Sequence, residues 1–332
     1  MTREQFVDVA RAALGERRSL AAVERIRGGT KKGVYRLVLE DASTAVAYVW
    51  NDAENYWPTT PGTDSDDHRD PFSAATGIDL FEAAHRHLTA LGIRTPRIHL
   101  ADRSRTYLPA DVVVLEDVTG GSLEALLRAD PAAAARPLAR LAEALGAMHG
   151  HRGPRFGKVA LIDAGRASHG ESCEQVLLER ALTDLAEAAS RDTRLRGRDR
   201  DLEAAVRGLA ATVQPRTEYA LIHGELGPDH VLVDAAGEPV IIDIEGLMFF
   251  DVEWEHTFLH LRFGEHYPAI AAASAADLDP QRIAFYAMAM HLSLIAGPLR
   301  LLDGDFPDRD AMLGIVEHNL AAALAFLPRA AA

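Results

Sequence analysis

Between residues 221 and 250 the chain twice runs a short apolar segment into charged and imidazole side chains. The first group is His223-Gly224-Glu225, with Asp229 and His230 close behind it, and the second is Asp243 with Glu245. Charge directly after a buried strand is normally avoided, so its presence at two strand ends points to functional groups held on a rigid scaffold. The layout reads strand, loop, strand, turn, strand over 219–222, 231–233 and 240–242, with residues 235–239 as the turn. Pairing of the last two strands as a hairpin would bring Glu225, His230 and Asp243 to one cleft.

The rest of the chain divides by character. Residues 2–14 have Phe6, Val7, Ala10 and Leu14 at helical spacing. Residues 34–39 and 45–50 are β-branched and aromatic around a turn-forming Glu40-Asp41-Ala42-Ser43, which predicts a β-hairpin, and 97–100 and 112–116 read as two more strands. Residues 51–71 have three prolines and five aspartates without apolar period, the pattern of an exposed loop. A helix over 78–91 carries Leu80, Phe81, Ala84, Leu88 and Leu91 on one stripe and stops at Gly92. From Ser122 onward helical periodicity dominates, at 122–129, 132–149, 172–189, 201–213, 252–262, 280–296 and 309–326. A strand-rich first third and a helix-rich remainder predict an α+β chain of two lobes, with a small antiparallel sheet over 1–117 and a larger, mainly helical lobe over 118–332. The length of 332 residues suits about two such units.

Composition narrows the partners. With 35 basic and 49 acidic side chains the net charge is −14, the wrong sign for nucleic acid or an anionic membrane. Ten acids face one base, Arg262, over residues 221–270, and this predicts an acidic cleft suited to a cationic or polyhydroxylated small molecule. The one cysteine, Cys173, forms no intrachain disulfide, the first residues do not read as a secretory signal, and the most apolar stretch, 286–299, is interrupted by His291 and Pro298. A cytoplasmic protein is the expectation. Only Lys31, Lys32 and Lys158 are lysines, so any chemistry that needs one has three candidates.

The motif segment resembles the aminoglycoside phosphotransferase and choline kinase-like family, whose fold is protein-kinase-like. That family's His-Gly-Asp, Asn and Ile-Asp positions match His223-Gly224-Glu225, His230 and Asp243, and its following aspartates match Asp251 with Glu255. Gly28-Gly29-Thr30-Lys31-Lys32-Gly33 looks like its phosphate-covering loop, Glu82 matches the helix glutamate that pairs with the nucleotide lysine, and 112–116 looks like its hinge strand. The likeness spans about residues 22–262.

The resemblance implies phosphoryl transfer from ATP or GTP with Mg2+, in which metal ions and a lysine answer the phosphate charge and a carboxylate takes the acceptor's proton. Glu225 would be the base, with His223 supporting the loop, and Asp243 and His230 would hold metal. Gly28, Gly29, Lys31, Lys32, Gly33, Glu82, Glu116 and Val118 would bind nucleotide, and Glu245, Asp251, Glu253 and Glu255 would face the acceptor. The chain departs from the family in three places. Glutamate replaces the catalytic aspartate, histidine replaces asparagine at 230 as in macrolide phosphotransferases, and the strand over 45–50 has Tyr48, Val49 and Trp50 where the nucleotide lysine belongs. Lys31, Lys32 or an arginine such as Arg36 must then reach the phosphates. His230 fits a metal ligand or a hydrogen-bonding filler equally, and Lys31-Lys32 fits a solvated pair as well as a phosphate contact. His256 and His260, four apart on a helix, read as an ordinary face without an HExxH motif. Two other readings stay open: a non-catalytic nucleotide- or ligand-binding pseudokinase of the same fold, and a metal-dependent hydrolase using His223, Glu225, Asp229, His230 and Asp243.

Overall fold

The computed structural model describes residues 1–26, 29–57, 67–73, 76–272 and 277–327. An opening helix α1 (Arg3–Leu14) is followed by β1 (Leu20–Arg25), β2 (Gly33–Leu39) and β3 (Thr44–Trp50), then by α2 (Ile78–Ala90), β4 (Ile98–Asp102) and β5 (Asp111–Glu116). The five strands form one antiparallel sheet in the order β1-β2-β3-β5-β4. Side chains alternate across the pleat. Tyr35, Leu37, Ala47 and Val114 therefore pack with Phe6 and Val9 of α1, whereas Tyr48, Trp50, Val113 and Leu115 face Phe81, Ala84 and Leu88 of α2.

After Glu116 the chain turns helical. Ser122 caps α3 (Leu123–Ala129), and Asp130 with a proline in the first turn starts α4 (Pro131–Gly150). Short strands β6 (Arg152–Gly153) and β7 (Gly157–Lys158) precede α5 (Val159–Asp163), α6 (Cys173–Arg191), α7 (Thr193–Arg196) and α8 (Asp199–Ala210). Next come β8 (Tyr219–Ile222), β9 (Val231–Val233), β10 (Pro239–Ile241) and β11 (Met248–Phe250), and then α9 (Val252–Phe263), α10 (Tyr267–Ala271), α11 (Pro280–Leu301) and α12 (Arg309–Leu324). A small sheet runs β6-β8-β11-β7, and β9 pairs antiparallel with β10 as the expected hairpin.

The architecture is the two-lobed α+β fold read from the sequence, and the seven helical stretches after Ser122 all form. Strand β1 and the short β6, β7 and β11 carry no usable alternation and have no counterpart in the sequence reading. The 51–71 expectation needs correction. Its described parts, 51–57 and 67–71, are mostly half-buried or buried, and the adjoining Phe72 lies against the helical lobe, edge-on to Phe250 and Trp254 at ring-centroid distances of 5.3 and 5.0 Å. Helix α11 is long and apolar enough by composition to cross a membrane, yet it packs as a core helix, with Leu292, Ile295 and Ala296 fully buried.

Candidate active site

Strand β8 delivers the first motif. Gly224 turns the chain at φ +91°, and a Cβ there would stand 3.1 Å from the Met248 methyl carbon, so a side chain is disfavoured on both counts. The Gly224 amide donates to Glu255 Oε2 at 2.9 Å, and the Trp254 indole donates to the Gly224 carbonyl at 3.1 Å. Glu255 is fully buried beneath the loop, and burial pushes its carboxyl up to about 7 although backbone amides of Gly224, His223 and Leu226 work the other way. His223 is also buried. Its Nε2 donates to the Ile242 carbonyl at 3.0 Å, and burial pulls its imidazole down to about 4, so the ring is neutral. It ties the first motif to the second, the supporting role read for it. Glu225 itself is exposed at the end of this turn.

Asp243, in the left-handed region at φ 59°, follows β10 and opens the second motif. Lys32 crosses from the glycine-rich loop of the small lobe to meet it. Its ammonium donates to Asp243 Oδ1 at 2.7 Å and to Glu245 Oε1 at 2.5 Å, and it lies 4.7 Å from the centroid of the Tyr48 ring. Lys32 is only 6 % exposed. Desolvation works against its charge, but the two carboxylates outweigh it and hold the ammonium above its ordinary value. Asp243 is driven well below the carboxylate range, first by Lys32 and then, against its own burial, by His230. Burial, reinforced by the Asp243 charge, raises Glu245. Tyr48 occupies the strand where a family lysine would project, and its ring face receives the ammonium instead. Lysine scarcity was the sequence signal for this contact; the partner carboxylate was not legible.

The donor set suits a divalent cation. One ammonium shared by two carboxylates leaves negative charge over, and Glu245 Oε2 is buried without a partner. His230 donates from Nδ1 to the Glu225 carbonyl at 2.9 Å, which turns Nε2 toward the carboxylates, 3.7 Å from Asp243 Oδ2 and 3.7 Å from Asp229 Oδ2. Magnesium is commonly held by one or two carboxylates together with substrate phosphates, so Asp243 with His230 is sufficient protein for it. Among the described residues no three His, Cys, Asp or Glu side chains stand at all-protein metal-site geometry, which gives the hydrolase reading no support.

Several expected site residues lie elsewhere. Asp251 is buried against Arg282 and Tyr286, and Glu253 is gripped by Arg216 through two 2.6 Å bonds, so neither carboxylate faces an acceptor. Glu255 is the floor of the loop and Glu245 is the lysine partner; they do not line the acceptor side. Glu82 does not meet a lysine: it pairs with Arg103 on the outer side of α2. Arg36 is engaged by Asp117 at 2.6 Å, and Lys31 stacks over Trp57 at 5.4 Å, which leaves Lys32 as the loop cation that reaches Asp243. Gly33 is required by close approach, since a Cβ would stand 2.6 Å from the Tyr35 ring and 2.7 Å from the Glu54 carboxyl carbon. Gly29 turns at φ +76°, and Gly28 lies outside the described residues. At the strand end Glu116 donates its amide to the Arg97 carbonyl at 2.9 Å, and Arg94 pulls its carboxyl down to about 2; Val118 beside it is buried.

A family model described as the phosphotransferase enzyme family matches residues 22–286. The chain belongs to this family. Among solved structures, this phosphotransferase is similar to spectinomycin phosphotransferase APH(9)-Ia, in complex with ADP and spectinomycin, at 12 % identity and TM-score 0.65 over 98 % of both chains. It is similar to choline kinase LicA from Streptococcus pneumoniae at 14 % identity and TM-score 0.63, over 97 % of this chain and 98 % of that one. The GDP and kanamycin complex of APH(2")-IIIa aligns at 18 % identity and TM-score 0.60, over 96 % and 98 %. These likenesses establish the phosphotransferase fold. No curated protein sequence matches the chain.

Proposed function

We propose that this phosphotransferase transfers the γ-phosphoryl group of ATP or GTP to a hydroxyl of a small molecule, with antibiotics and amino sugars the favoured acceptors. The observation that carries the reading is Lys32 at 2.7 Å from Asp243, which joins the glycine-rich loop to the metal-type aspartate across the lobes. Lys32 replaces the missing strand lysine: its compact ammonium, held over Tyr48, is placed to meet nucleotide phosphate. Glu225, exposed on the rigid turn set by Gly224 and Glu255, accepts the proton of the attacking hydroxyl late in transfer. His223, neutral and bound to the Ile242 carbonyl, keeps the two motifs in register. Asp243 and His230 would hold Mg2+, which when bound neutralises phosphate charge. Similar structures were solved with ADP and with GDP, so both donors belong in the test. With Asp251, Glu253 and Glu255 buried, net charge ceases to favour a cationic acceptor, and polyhydroxylated compounds of either charge fit. The cytoplasm, where ATP and reduced thiols are found, is the proposed location.

Incubation with Mg2+, ATP or GTP and a panel of kanamycin, spectinomycin, hygromycin B, macrolides and choline is expected to release the nucleoside diphosphate with at least one acceptor. Asp243→Ala is expected to abolish turnover. Nucleotide binding without turnover across the panel would support the pseudokinase reading instead, which the Lys32 grip on Asp243 makes the natural alternative.

A further inference from the structure

The third lysine is not idle. Lys158 on β7 is in register with Met248 of β11, and Met248 with Ile222 of β8, so the three side chains form one row on one face of the small sheet. Ile222 directly precedes His223-Gly224-Glu225, and the Met248 methyl lies against Gly224. The Lys158 side chain therefore runs beside the loop that carries Glu225. It is 1 % exposed, and its ammonium donates to Ser73 Oγ at 2.6 Å, the Ser73 carbonyl at 2.9 Å and the Asp70 carbonyl at 3.3 Å. All three donors thus end on one short segment, through neutral acceptors. Burying an ammonium against neutral oxygens is costly, and burial lowers this amine to about 8. A contact kept at such cost calls for a role beyond packing.

The segment it grips, 67–73, belongs to the connection between β3 and α2 of the small lobe, yet it is fastened to the large one. Phe72 packs on Phe250 and Trp254, Arg180 lies 5.0 Å over the Phe72 ring, Asp67 meets His169 at 2.5 Å, and the His169 amide donates to the Arg69 carbonyl at 2.8 Å. Just beyond it, Thr76 Oγ1 donates to the Lys31 carbonyl of the glycine-rich loop at 3.4 Å. Contacts to the phosphate loop, at Thr76, and to the floor of the catalytic turn, at 67–73, thus lie close together in the sequence.

We propose that residues 67–73 form the acceptor-side wall of the cleft, limiting water access to the exposed Glu225 once nucleotide is bound, and that Lys158 is the positioning residue that clips this wall in place. The inference rests on the phosphotransferase reading. With the wall loosened, water becomes a competing acceptor. Its oxygen bonds to the γ-phosphorus as the β–γ bridging O–P bond breaks, one proton passes to Glu225 and then to solvent, and ADP and phosphate leave.

The test uses the full chain and the variants Lys158→Met, Lys158→Arg and Ser73→Ala, the last leaving the buried amine in place. For Lys158→Met and Ser73→Ala, amide hydrogen exchange across 67–73 is expected to rise about tenfold with the rest of the large lobe unmoved. AMP-PNP affinity is expected to stay within about twofold, and Mg-ATP hydrolysis without acceptor to rise about tenfold. Lys158→Arg is expected to recover part of the protection, since a cation donating to the same carbonyls remains. Unchanged exchange, unchanged hydrolysis, or exchange rising across the whole lobe would overturn the clip while intact AMP-PNP binding left the kinase reading standing. Absence of AMP-PNP binding in the unaltered protein would overturn both.

Discussion

At the scale of single residues, Lys32 separates activity from stability. Lys32→Met removes the cation that faces phosphate, and turnover is expected to fall about 100-fold or more, the usual loss for one preorganised electrostatic partner. It also leaves the buried Glu245 and the partly exposed Asp243 close together without their cation, and because solvent screens Asp243 the stability cost is about 2–3 kcal/mol. Adding Glu245→Gln removes one of those charges, so the double variant is expected to regain melting temperature but not turnover. Recovery of both in the double variant would show Lys32 to be structural. Lys32→Arg is expected to fail as well, because a planar fork does not reproduce a point charge in a space that leaves the side chain 6 % exposed. The sequence made this residue legible only by scarcity: three lysines, none on the strand. Its partner was beyond reach, because Glu245 lies 213 positions away and nothing local distinguishes a carboxylate that meets a lysine from one that meets an acceptor.

At the scale of elements, the turn after β8 depends on Glu255 from α9. The carboxyl titrates near 7 in the fold against an ordinary 4.5, so between those values the folded chain holds a proton that the unfolded chain has released. Stability from this group is complete below about 4.5 and declines as pH rises through 7. Glu255→Gln keeps a carbonyl oxygen for the Gly224 amide and removes the titration. Buried neutral histidines such as His223 and His256 act with the opposite sign, losing stability as pH falls through their range. The difference between variant and unaltered protein isolates Glu255. The melting temperature of Glu255→Gln relative to wild type is expected to increase from pH 4.5 to pH 7, and a flat difference would refute the assignment. The motif strands and their hairpin were legible because alternation and turn residues are local signals. Glu255 was misplaced because its burial follows from which face of α9 packs under the loop, a tertiary fact. The loop over 51–71 was misjudged for a related reason: its polar composition says nothing of the adjoining Phe72, whose partners come from β11 and α9 and draw the segment onto the large lobe.

At the scale of the molecule, charge and core are distributed differently from what local counting implies. The acids that crowd 221–270 find bases from distant parts of the chain: Asp251 meets Arg282, Glu253 meets Arg216, Glu238 meets Arg136 and Arg140, and Asp243 meets Lys32. A window that sees one base in that stretch therefore overstates the acidity of the cleft. The core has the same long reach. Among the described residues one hydrophobic cluster joins Tyr48, Trp50, Phe81 and Val113 of the small lobe to Leu141, Ile222, Phe250 and Leu292 of the large one, and only the α1 face of the sheet has a separate cluster. With Lys32 and the 67–73 strap also crossing between lobes, opening the small lobe would expose the shared core and break the ion pair at once. Calorimetry is therefore expected to show one transition with a van't Hoff enthalpy close to the calorimetric value. Two resolved transitions, or early loss of the sheet with the helices intact, would mean that the cluster does not couple the lobes. A nucleotide that binds only the folded protein would move a single transition upward as a whole, by an amount set by its concentration relative to Kd. If the lobes melted apart, it would move at most the portion that holds it.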